Sequence, residues 1–168
     1  PFVPSGHFPL TRGIGLAMTG FFDSLSLPQG KVYKREEEAF MTNHMETAHA
    51  LRGRTDVHFN CCQSVLVSFA ADLGLTEEQA FALGSNFGAG MRMGSACGAL
   101  TGALMALGLM GCDEKKAAEL LRRFRTDHGA TDCAALLRAS KDRGEERKDH
   151  CDGLVYEMVQ AVEELTGE

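Results

Sequence analysis

The chain has 168 residues, is 44% hydrophobic, and carries a formal net charge of -6 with a sequence pI near 5.5. That length fits one ordinary domain with a core of its own, so disulfide staples are not required. The acidic balance argues against nucleic acid or an anionic membrane as partner, since both call for a basic surface. No Trp, two Tyr and few β-branched runs argue against an all-β fold.

Residues 1–40 differ from the rest. They hold Pro1, Pro4, Pro9 and Pro28, with Gly13, Gly15 and Gly20. This composition predicts an N-terminal extension with little regular structure, pinned to the core by Leu16, Phe21, Phe22 and Leu25. Its apolar content also suggests an arm that reaches a second copy, hence a homodimer as an expectation. Pro1 is not an initiator, which leaves an upstream export signal open; without one the expected location is cytoplasmic.

Residues 41–168 read as one all-α domain, a compact multi-helix bundle. Glu36 to Arg52 is helical in pattern and ends near Gly53. Asn60 with Gln63 forms a reciprocal capping pair for a helix reaching about Leu73. Thr76 with Gln79 repeats the device for a short helix through Leu83. Gly84, Gly88, Gly90 and Gly94 mark a loop. A helix from about Ser95 to Met110 follows. Asp113 caps the next, which ends at His128–Gly129. Thr131 or Asp132 opens a short helix over Cys133 to Arg138. The run SKDRGEERKD at 140–149 reads as a charged loop, and Asp152 as the start of the last helix. There Leu154, Val155, Met158, Ala161, Val162 and Leu165 keep helical spacing.

Met93 to Cys112 contains no charged residue and is long enough to span a bilayer. Its glycines (Gly94, Gly98, Gly102, Gly108 and Gly111) and its amphipathic flanks favour a buried central helix instead. Gly94, Gly98 and Gly102, continued by Ala106, form a stripe of small residues every fourth position, which admits a close partner helix. The methionines Met91, Met93, Met105 and Met110 read as core filler.

The six cysteines fall at 61, 62, 97, 112, 133 and 151. None form CxxC, so zinc-ribbon and bacterial ferredoxin spacings are absent, and no CxxCH offers covalent haem attachment. A site would have to be assembled by folding. Cys61, Cys97, Cys133 and Cys151 each fall at a predicted helix start, where free backbone N–H groups and the helix dipole favour a thiolate. The competing reading is four small buried hydrophobes. Cys62 points about 100° away from Cys61 on a helix, and Cys112 sits at a helix C-terminus, so both read as ordinary. His58 and His150 neighbour Cys61 and Cys151 and could tune a thiolate, although a surface or capping role is the simpler reading. The loop SNFGAGMRMG lacks the GxxxxGK[ST] pattern and a preceding strand, so it does not read as a phosphate cradle.

The stretches FNCCQSVLVSFAADLGL, GSNFGAGMRMGSACGALTGALMALGL, ATDCAALL and DHCDGLV resemble the redox-active C-GCAxxG-C-C family, over roughly residues 41–168. A related domain occurs in split-Soret cytochromes, whose haem motifs are missing here. The resemblance implies an all-helical fold and carries over Cys61, Cys97, Cys133 and Cys151 as the family cysteines. It also matches Gly98, Ala99 and Gly102 to the CGAxxG segment, where they are expected beside a cofactor. It further implies redox activity. An iron–sulfur cluster for electron transfer to an unidentified redox partner protein is the favoured expectation. A metal-free thiol–disulfide oxidoreductase using the same four cysteines, or a structural zinc module, is the alternative. Whether the protein is an enzyme or a carrier is left open. Cys62, where a small residue is usual, Cys112 and the extension depart from the pattern.

Overall fold

The computed structural model describes residues 43–167; the expected extension over 1–40 and its anchoring residues lie outside them. Seven α-helices follow in order: α1 His44–Gly53, α2 Cys61–Ser68, α3 Glu77–Gly84, α4 Gly98–Leu109, α5 Glu114–His128, α6 Cys133–Asp142 and α7 Arg147–Thr166. Among the described residues there is no strand, only an isolated antiparallel bridge between Ala96 and Asp132. The domain is all-α. No described helix is long and apolar enough to cross a membrane.

The helix starts follow their capping chemistry. Asn60 accepts from the Gln63 N–H while the Gln63 side chain accepts from the Asn60 N–H, and Thr76 with Gln79 does the same. Asp113 and Asp132 cap α5 and α6. Gly129, in the left-handed conformation, closes α5 as expected.

Several boundaries differ from the sequence expectation. α1 begins only after Asn43, whose side chain accepts the Glu46 N–H; the stretch before it is outside the described residues. α2 stops at Ser68, and residues 69–74 continue as turns rather than helix. The charged run at 140–149 is mostly helical: α6 extends to Asp142 and α7 starts at Arg147. Charge alone does not break a helix, and these side chains are simply solvated. Met93 is 78% exposed, not core filler.

The core is built where α2, α4 and α7 pack on one another, with α1 laid across α2 and α7. Val65, Leu66, Leu100, Leu107, Val155 and Met158 fill it. The glycine stripe on α4 faces α2. A Cβ built on Gly102 would lie 2.8 Å from the Cys62 carbonyl oxygen and 3.1 Å from the Val65 Cβ. Backbones therefore meet nearly directly, and the partner of the stripe is this chain's own helix. Gly108, one and a half turns on, has open space around it.

That contrast yields a paired test. Gly102→Ala forces α4 off α2 and should cost about 1–3 kcal/mol, as overpacking does. Gly108→Ala in the same helix should be neutral or stabilise by up to about 1 kcal/mol, by helix propensity. Denaturant unfolding of both variants checks this; equal effects would mean that the close approach is not what Gly102 provides.

Candidate functional site

The family cysteines come from four different segments. Cys61 is the first residue of α2, directly after its Asn60 cap. Cys97 is the N-cap of α4. Cys133 is the first residue of α6, after its Asp132 cap. Cys151 is not at a helix start: it lies in the second turn of α7, because that helix begins at Arg147. Three of the four thus have the dipole setting read from the sequence. Cys151 owes its environment to side chains instead.

Two backbone hydrogen bonds tie Cys97 to Cys133. The Cys97 N–H donates to the Thr131 carbonyl at 2.9 Å, and the Cys133 N–H donates to the Ser95 carbonyl at 2.7 Å. A left-handed turn stands beside them, with Ala89, Gly90, Met91 and Arg92 all at φ between 51° and 62°. Gly90 is required there, since a Cβ would fall 2.5 Å from the Ser95 oxygen and 2.7 Å from the Cys133 Cβ. On the other side, a Cβ on Gly98 would be 3.3 Å from the Cys61 Cβ, so the start of α4 lies against the start of α2.

Arg52 brings in α7. Its guanidinium, 8% exposed, pairs with Asp152, 11% exposed, and donates to the Phe59 carbonyl at 2.6 Å. One side chain therefore holds the turn before Cys61 and the residue after Cys151. The Cys61 and Cys151 thiols lie near enough to shift each other's ionisation.

All four family cysteines line one cavity of about 940 Å³, together with Gly98, His58, His150 and the cations Arg52, Arg54, Arg92, Arg147 and Lys148. Ala99 and Gly102, expected beside a cofactor, are placed elsewhere: Ala99 is fully buried in the core, and Gly102 packs on α2. Cys62 is also fully buried, with its sulfur 3.9 Å from the Met105 sulfur. It packs as a small apolar side chain, and burial pushes its thiol up to about 12. Cys112 packs at the edge of the core. All six cysteines are free thiols.

The thiols feel one another. The interaction with the Cys151 thiol and then burial push Cys61 upward. Cys97 is raised by burial, against backbone N–H groups of Leu100 and Ala99 that pull it down. Burial and then the Cys151 charge raise Cys133. Cys151 is lowered to about 6, first by its interaction with the Cys61 thiol and, against its burial, by Arg147 and Arg52. Arg147 precedes Cys151 by one helical turn on α7, the spacing that places side chains on one face. His150 is largely buried, its Nε2 lacks a hydrogen-bond partner, and burial depresses its pKa. It is therefore neither the surface nor the capping histidine that its sequence position suggested.

Among the described residues, no three His, Cys, Asp or Glu groups are grouped as a single metal ion would need. One tetrahedral zinc, with Zn–S bonds of about 2.3 Å, draws its four sulfurs nearly into contact. A polynuclear cluster spreads its thiolates around bridging sulfides. Four soft thiol donors line one cavity, with Arg52 and Arg147 to offset negative charge, the donor chemistry that either kind of group draws on.

A family model described as "Putative redox-active protein (C_GCAxxG_C_C)" matches residues 59–165. Comparison with curated proteins and with solved structures found no match.

The side-chain electrostatics set an order of thiol reactivity. In the metal-free protein the Cys151 thiol is lowered to about 6, whereas burial shifts Cys97 and Cys133 upward. Iodoacetamide should label Cys151 first, with a rate midpoint near pH 6. Peptide mapping of partially labelled protein checks the order; Cys97 ahead of Cys151 would refute it. Removing the clamp in Arg52→Met should destabilise the fold by about 2–4 kcal/mol, a little under a fully unpaired buried charge because Lys148 still reaches Asp152. It should also move the labelling midpoint of Cys151 upward.

Proposed function

The chain belongs to the C_GCAxxG_C_C family of redox-active proteins, and from that premise we propose that Cys61, Cys97, Cys133 and Cys151 hold one iron–sulfur cluster that serves electron transfer. The observation that carries this reading is that four cysteines, spread over 91 residues' worth of chain from 61 to 151 and over four elements, line a single cavity. The cluster, when bound, supplies one-electron chemistry. The chain's own groups supply the rest. Cys97, as a helix N-cap, and Cys61 and Cys133, as first helical residues, offer their thiolates beside unpaired N–H groups. Arg52 and Arg147 place positive charge by Cys151. The apolar walls at Leu51, Phe59 and Leu154 limit water at the centre. An electron partner protein is part of this reading.

One observation favours a second reading, a metal-free thiol–disulfide oxidoreductase: Cys61 and the low-pKa Cys151 line the same cavity and shift each other's ionisation. In that case the Cys151 thiolate attacks a partner's disulfide, and one partner sulfur leaves as thiolate and takes a proton. The Cys61 thiol then loses its proton and attacks Cys151 in the mixed disulfide. This frees the second partner thiol and leaves a Cys61–Cys151 disulfide, so two electrons pass to the partner.

The absorption spectrum of protein purified without oxygen separates the two, together with iron and acid-labile sulfide analysis. The cluster reading expects visible charge-transfer bands that Cys97→Ser abolishes and Cys112→Ser keeps, with unchanged helical circular dichroism in both. Ser is a poor soft-metal ligand of nearly the same size. Colourless, iron-free protein that forms a Cys61–Cys151 disulfide on mild oxidation would sink the cluster and establish the thiol–disulfide couple.

A further inference from the structure

The cavity is larger and differently charged than a four-thiol centre alone calls for. Its volume of about 940 Å³ lies in the upper range of small-molecule sites, roughly 300–1,000 Å³. The cysteines account for one part of its wall. Another part is apolar, with Phe59, Phe81 and Leu154. Apart from the cysteine thiols, of which Cys151 ionises most readily, the charged residues of the described lining are cations, and no Asp or Glu is among them, although the chain carries 23 acidic side chains against 17 Lys and Arg.

Most of these cations are already committed. Arg52 and Lys148 pair with Asp152, and Arg54 pairs with Asp56 and Glu77. Two have no carboxylate partner among the described residues. Arg147 has only its influence on the Cys151 and Cys133 thiols to set against its charge. Among the described residues Arg92 touches only neutral groups, donating to Asn86 Oδ1 at 3.0 Å and to the Ser85 carbonyl at 3.2 Å. Arg92 is also held at a cost: it sits in the left-handed turn with Ala89 and Met91, a conformation that residues with a Cβ seldom adopt. On the same lining, His150 keeps a buried Nε2 with no partner.

We propose that this cavity binds a small organic anion, with a carboxylate or phosphate group at the Arg92 and Arg147 guanidiniums and an apolar body against Phe59, Phe81 and Leu154. Guanidinium groups pair with both kinds of oxyanion through charge-assisted, two-point hydrogen bonds. The apolar wall supplies binding that a bare inorganic ion cannot use. The site goes beyond the redox reading: it shares Arg147, Phe59 and Leu154 with the thiol centre and adds Arg92 and Phe81.

Calorimetric titration of the full chain tests it, with four probes: 3-phenylpropionate, phenyl phosphate, inorganic phosphate and the neutral 3-phenylpropionamide. The two organic anions should bind at least about tenfold tighter than the amide and than inorganic phosphate, with affinity falling as salt rises. The tighter of the two identifies the oxyanion. Arg92→Gln and Arg147→Gln should each weaken the preferred anion about tenfold and leave the amide unaffected, while Lys115→Gln on α5 changes nothing. Equal binding of amide and anions, no binding of any probe below about 10 mM, or anion binding that survives both glutamine variants would overturn the proposal. Repeating the titration on Cys97→Ser keeps the two questions apart: a colourless variant that still binds the anion leaves this site standing whatever becomes of the cluster.

Discussion

The contact on which the rest depends is the near-touching of two helix backbones, α2 and α4. Only glycine at 98 and 102 lets α4 come this close, since a Cβ at either position would meet backbone or Cβ atoms of α2 or of the segment leading into α4. The contact organises the core, because Val65 and Leu66 on α2 and Leu100 and Leu107 on α4 are buried around it. It also sets the site, because Gly98 follows Cys97 and faces Cys61. The residue that permits the packing is thus the neighbour of the residue that carries the chemistry. A substitution that separates the helices would separate the two thiols by the same movement, so fold and site are not independently tunable here.

A second constraint is electrostatic. Burying the Arg52–Asp152 pair costs desolvation that the ion pair alone repays poorly. Its geometry offers another return: the same guanidinium also takes the Phe59 carbonyl, which fixes the turn leading into Cys61 against the helix that carries Cys151. The interaction between the two thiols then lowers Cys151 while raising Cys61, so one of the two is poised to ionise and the other to stay protonated. No carboxylate is among the described residues that line the cavity, and its cations are surroundings that favour thiolates.

Much of this was legible along the chain, and the reasons differ by element. The capping pairs Asn60–Gln63 and Thr76–Gln79 are local chemistry, complete within four residues, so the starts of α2 and α3 could be read directly. Asp113 and Gly129 bracket α5 for the same reason. The end of α2 could not be read, because residues 69–74 keep an apolar pattern compatible with helix while folding as turns. The start of α7 was missed because Arg147, Lys148 and Asp149 look like loop by charge, and the error moved Cys151 from the second turn to the helix start. With α7 in its true register, Arg147 falls one turn before Cys151, and its influence on that thiol becomes readable. The left-handed turn at 89–92 had no signal beyond its glycines, since Ala89, Met91 and Arg92 are not residues that favour positive φ. The Arg52–Asp152 pair spans 100 residues, and no local rule connects such positions.

The spacing of the cysteines explains why the site resists a motif-level reading. In a CxxC arrangement two ligands are set by one turn of backbone, and a short peptide already holds half of a site. Here no two family cysteines share an element. Cys97 and Cys133 meet through the Ala96–Asp132 bridge, Cys61 and Cys97 through the glycine contact, and Cys61 and Cys151 through Arg52. Each junction joins segments distant in sequence, so each carries loop-closure entropy that only the formed core repays. Whatever the thiols hold must therefore bind a largely folded chain, and it should stabilise that chain by linkage rather than drive its folding outright, in contrast to small zinc modules. The fold's large apolar core is what makes that order of events physically accessible.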